Sequence, residues 1–140
     1  MSTAVVDTAR VVLEAILPGT PTRVQVSVPG TAYRLELVLE GDASALQPRV
    51  GKRVSGVIRG RAQRVWHAAA GGCFIEPVWG HPRIVQGRVL AVDPDSNAVL
   101  LDLAVPAWMS LEASQSAGSF QTGDLLNFYC ESGVRFCAAR

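Results

Sequence analysis

The side chains able to do chemistry in this chain are concentrated in a run of cations followed by indoles. No acidic residue lies between Asp42 and Glu76, yet Arg49, Lys52, Arg53, Arg59, Arg61 and Arg64 all fall in that interval. Side chains alternate along a strand, so Arg53, Arg59 and Arg61 share a face with Gln63 and His67 unless a bend switches the phase. Trp66 and Trp79 lie close in sequence, with His81 and Arg83 after them. Guanidinium groups bind phosphates through forked N–H donors, and a nearby indole stacks on a base. The residue types therefore point to sequence-tolerant contact with single-stranded nucleic acid through Arg53, Arg59 and Arg61 with Trp66 or Trp79. The competing reading is a solvated strand face, its charge offset by Asp93, Asp95, Asp102, Glu112 and Asp124 from the other half of the chain.

Other constellations are poorer. His67, Cys73, Glu76 and His81 are of metal-ligating type, but structural zinc sites show two close ligand pairs and no Cys-x-x-Cys occurs here. Cys73 near Glu76 and either histidine offers a thiol–imidazole pair in principle. No nucleophile elbow, phosphate loop or paired-carboxylate motif accompanies it. The expectation is a non-enzymatic protein with no metal and no cofactor. Trp108 and Met109 follow Pro106; exposed, they would form a protein interface, and buried, they would plug the open end of a barrel.

Composition sets the frame for these residues. The 140-residue chain is 49% hydrophobic and only 6% aromatic, which leaves a core built mainly from Val, Leu and Ala. A single domain spanning 1–140 is expected at this length. The formal net charge of +1 excludes the global field of a strongly basic nucleic-acid protein, so any anion site must be local. Lys52 is the one lysine among 13 cationic residues, a bias that a GC-rich coding sequence explains most simply. Cys73, Cys130 and Cys137 are an odd number without pairing rhythm, as in a reducing compartment. Asp7 and Glu14 interrupt the N-terminal apolar run, and no stretch approaches the ~20 residues of a membrane span. A soluble cytoplasmic protein, without membrane contact, is expected.

The elements that must position these residues are mostly strands. Residues 3–17 place Val5, Ala9, Val12 and Ile16 at helical spacing, widened by Val6 and Leu13, and Pro18-Gly19 ends the run. That spacing predicts one N-terminal helix. From Thr22 the period becomes two: Arg23 to Val28 alternates, Pro29-Gly30 suits the centre of a type II turn, and Tyr33 to Glu40 returns. Gly41 to Pro48 reads as a loop. Val50 to His67 is one long run in which Gly56 and Gly60 are expected to mark a bend or bulge. Short strands follow at Cys73–Val78, Ile84–Val92, Ala98–Val105 and Ala107–Leu111, with a loop over Glu112–Ser119. Leu125–Cys130 and Val134–Cys137 read as a terminal hairpin around Glu131-Ser132-Gly133.

A repeat runs through this series. Arg23 to Leu37 and Arg88 to Leu103 both open with Arg-Val, turn at a proline, restart at an alanine and end in Leu-acid-Leu. Downstream of each, Gly51-Lys52 and Gly123-Asp124 lead into another apolar strand. Over Arg83 to Phe136, the Gly-Arg-Val, Val-Asp, turn and Leu-Asp-Leu series is similar to strands of OB-type and related small barrels. The expected fold is all-β: a small antiparallel barrel over 22–137, OB-like or of two pseudo-repeated halves, with the 3–17 helix packed on it. The expected function is a binding module for single-stranded nucleic acid. The alternative is a structural or assembly protein acting through homo- or hetero-oligomeric contacts, with no small ligand.

Overall fold

The structure, a computed structural model, describes residues 6–139. Among the described residues, eleven strands form one hydrogen-bonded sheet. In chain order they are β1 (Ala9–Leu17), β2 (Arg23–Ser27), β3 (Arg34–Glu40), β4 (Arg53–His67), β5 (Phe74–Glu76) and β6 (Trp79–Gly80). β7 (Ile84–Asp93), β8 (Ala98–Asp102), β9 (Pro106–Ser110), β10 (Leu125–Cys130) and β11 (Arg135–Ala138) follow. The expected loop after β3 instead holds a one-turn helix, α1 (Ala43–Leu46), and a 3-10 turn over Gln47–Arg49. Asp42 caps the helix by accepting the Ser44 N–H at 2.9 Å.

The N-terminal helix predicted over 3–17 is not formed: Ala9–Leu17 is β1, and residues 3–5 lie outside the described residues. The segment satisfies both periods. Ala9, Val11 and Leu13 are fully buried at a spacing of two, with Arg10 exposed between them. β-Branched valines favour the strand, and β2 and β4 supply hydrogen-bonding edges on either side. The β2–β3 hairpin forms as expected. Gly30 takes φ +80 and the Thr31 N–H reaches the Val28 carbonyl at 3.1 Å, the geometry of a type II turn.

The sheet is mixed rather than purely antiparallel, since β3–β11, β3–β6 and β4–β9 pair in parallel. Strand β4 organises the whole. One of its edges carries β1 and then β9, and its other edge carries β11 and then β10. Two ring-like circuits result: β1-β2-β3-β11-β4 closes through the β1–β4 pairing, and β4-β10-β7-β8-β9 closes through β4–β9. β10 and β11 do not form the expected terminal hairpin. They lie end to end along β4, and Glu131 steps between them by donating its N–H to the Arg61 carbonyl at 2.8 Å.

The halves of the chain correspond, but one strand out of phase with the repeat read from sequence. β1–β2 and β7–β8 each carry a register irregularity, after Leu13 and after Val89. Gly51 donates to the Leu13 carbonyl while Leu13 donates to Lys52; Gly123 and Val89 with Asp124 repeat this arrangement. The two glycines, at φ +86 and +95, hold equivalent left-handed turns. The Gly51-Lys52 and Gly123-Asp124 correspondence therefore stands. The counterpart of the Arg88 hairpin is β1–β2, because that pair, not the Arg23 hairpin, shares its register irregularity and its glycine turn. Both circuits feed one core: Val24, Leu35 and Leu37 from the first and Val89, Leu101 and Phe128 from the second join Ile58 of β4.

Candidate nucleic-acid interface

Strand β4 presents its polar face through two local devices. Gly56 and Gly60, expected to mark bends, instead admit bulky neighbours: a Cβ at Gly56 would stand 2.5 Å from the Phe136 ring, and one at Gly60 would stand 2.7 Å from Met109 Sδ. The register irregularity comes later, where Tyr129 pairs with Arg64 but Cys130 pairs with Ala62, leaving Gln63 as the extra residue. This bulge switches the phase. Ala62 and Val65 both point into the core, so Trp66 emerges on the face that carries Arg59 and Arg61. The side-chain amide of Gln115 fixes the bulge. It accepts the Val65 N–H at 3.2 Å and donates to the Val65 carbonyl at 2.9 Å, as a neighbouring strand would. Asn97, in the left-handed region at φ +53, holds that loop by donating to Gln115 O and accepting from Ala117 N.

Arg59, Arg61 and Trp66 thus share one exposed face. Trp66 meets Tyr129 edge to face, with ring centroids 5.6 Å apart, and both rings are substantially exposed. Arg59 lies between Trp108 of β9 and Arg135 of β11 in the register of the sheet. These three line a depression of about 260 Å³ with Asp7 and Asp93, though among the described residues Arg59 makes no ion pair. Asp93 is turned into its own turn: the Ser96 hydroxyl holds its carboxyl below the usual range, helped by the Asp95 and Ser96 N–H groups. Arg61 approaches Glu131 at 3.9 Å with both side chains well exposed, a weak pairing.

The other candidates fall elsewhere. Arg53 starts β4 on the same outward side as Arg59, about 20 Å along the strand from it and in the direction away from Trp66. It lies beside Arg10 and Arg49 instead. Trp79 is on β6, outside this face, with the Arg34 guanidinium 5.0 Å from its ring centroid. Met109 is only 1% exposed, packed against Gly60, so the Trp108–Met109 surface does not form. Trp108 is half-buried, and its Nε1 donates to Asp7 at 2.8 Å.

The histidines and thiols do not converge. His67 faces Asp124 at 3.2 Å and His81 faces Glu36 at 3.4 Å. The Gln121 N–H, then His67, hold the Asp124 carboxyl below its ordinary value. Cys73 and Cys137 are exposed, and Cys130 is buried, its thiol pushed up to about 12 by desolvation. Among the described residues no group of three His, Cys, Asp or Glu side chains is placed to hold a metal ion. A depression of about 780 Å³ opens beside Tyr129 and is lined by Gln63, Glu76, His81, Arg83 and Ser132. Sequence reasoning missed Tyr129, Gln115 and Asn97. Only the left-handed preference of Asn97 carried a local signal.

Comparison of the chain with protein-family models, curated proteins and solved structures finds no match.

Proposed function

We propose that this protein is a non-enzymatic module that binds single-stranded nucleic acid along the exposed face of β4. The observation that carries the reading is the common face of Arg59, Arg61 and the Trp66–Tyr129 pair, created by the Gln63 bulge. Guanidinium groups neutralise phosphates while stacked bases use aromatic rings without regard to sequence. The depression beside Tyr129, at about 780 Å³, is of a size that admits a nucleotide. We read each circuit as OB-like: a three-stranded meander, a short helical turn, and two strands that close the ring. Such barrels use strand faces and adjoining loops for oligonucleotides.

The test is Trp fluorescence during titration with a mixed-sequence single-stranded oligonucleotide at several salt concentrations. Saturable quenching that weakens steeply with salt is expected. Arg59→Gln should lower the salt slope by about 1 without changing sequence preference, and Trp66→Phe should remove most of the quenching. No response at low salt would reject this reading.

The assembly alternative is favoured by Val78 and Trp79, adjacent residues that are 43% and 63% exposed. Sedimentation velocity tests it: a dimer lost in Trp79→Ser would support it, and a monomer at all concentrations would reject self-association.

A further inference from the structure

Three arginines gather at the opposite end of β4 from Trp66. Arg10 stands opposite Ser55, and Val12 opposite Arg53, so Arg10 and Arg53 are diagonal neighbours on the same outward face. Side chains so related start about 7–8 Å apart, within reach of each other's guanidinium. Arg49 enters from the 3-10 turn, and its Nη2 donates to the Arg53 carbonyl at 3.0 Å, which holds it across the start of the strand. The three arginines and Ser55 line a depression of about 340 Å³, together with Leu46, Val54 and Ala139. Among the described residues no carboxylate lines it, and none of the three arginines makes an ion pair.

Three guanidinium groups on one small concavity repel one another, and an oxyanion seated among them reverses that cost while filling their forked donors. Three positive charges discriminate in favour of a dianion over the singly charged phosphodiester of a nucleic-acid backbone. The volume exceeds a bare phosphate and leaves room for the group that the phosphate carries. We propose that this depression binds a phosphate monoester dianion, either on a small molecule or at the 5′ end of a strand. The site stands apart from the Arg59–Trp66 face and does not depend on that face binding nucleic acid.

NMR titration of the whole chain, following the Ser55 amide and the arginine Nε–H signals, tests the proposal with methyl phosphate and dimethyl phosphate at low ionic strength. Saturable shifts with methyl phosphate are expected, with an affinity about tenfold or more above that for the singly charged diester. Arg10→Gln, an exposed change, should weaken methyl phosphate binding by about tenfold, and Arg49→Gln should do the same. Equal affinity for the two esters, or wild-type binding in both variants, would overturn the site. A third arm compares 5′-phosphorylated and 5′-hydroxyl forms of one oligonucleotide. A phosphate-dependent gain in affinity that Arg10→Gln abolishes identifies a strand end as the ligand. Equal binding of the two forms, with methyl phosphate still bound, identifies a small phosphorylated molecule.

Discussion

Arg59 of β4 and Arg135 of β11 stand directly opposite each other across an antiparallel pair. The neighbouring cross-strand step joins Arg61 to Glu131, with a backbone hydrogen bond of 2.8 Å and side chains 3.9 Å apart. One step thus pairs opposite charges and the other opposes like charges. Glu40 lies 3.9 Å from Arg135, but among the described residues Arg59 has no ionic partner. Like charges directly opposite on adjacent strands destabilise a sheet. Arg59→Glu should therefore raise stability by about 0.2–1 kcal/mol while weakening oligonucleotide binding. Denaturant midpoints and affinities measured on the same preparations check this. Reduced stability would show that Arg59 supports the fold instead.

Gly56 is a packing position. An added Cβ would stand 2.5 Å from both the Phe136 ring and the Cys137 carbonyl, neither of which can step aside easily. Gly56→Ala should cost about 1–3 kcal/mol in urea unfolding. Gly60→Ala meets the flexible Met109 thioether and should cost less. The reverse order would contradict the close approach of Phe136 to β4.

Gln115 substitutes for a strand beside Val65 through paired bonds of 3.2 and 2.9 Å. Gln115→Leu removes both and orphans backbone groups at a buried position, at about 1–3 kcal/mol for each group left unsatisfied. Because Val65 precedes Trp66, the emission of Trp66 should also move in this variant. Unchanged stability and emission would mean that the bulge holds itself.

Thiol accessibility separates the cysteines. At neutral pH, iodoacetamide should label Cys73 and Cys137 in the native protein and spare Cys130, which is buried with its thiol pushed up to about 12. Denaturant should add the third label in intact-mass spectra. Rapid native labelling of Cys130 would show that the 131–134 step between β10 and β11 opens readily.

Local chemistry was readable from the sequence and long-range pairing was not. Pro29-Gly30 dictates its turn, and the arginine alternation up to Arg61 survives in the structure. The segment 9–17 satisfied two periods at once, and only the edges supplied by β2 and β4 decide for a strand. A short polar turn between β10 and β11 carries a hairpin signal, yet both strands find β4, far earlier in the chain. The same distance hid the site: Trp66 joins the arginine face through a bulge held by Gln115, and Arg10 reaches Arg53 only because β1 is a strand.

Because β4 serves both circuits, neither half of the molecule can finish alone. While the chain is being synthesised, β3 and the first part of β4 wait with open edges for β11, which follows every other strand. Unpaired edges recruit other chains, and such distant pairings form slowly. The nascent protein is thus open to aggregation until β11 arrives. Cutting the chain between Ala68 and Cys73 should yield two fragments that are insoluble apart and fold when mixed.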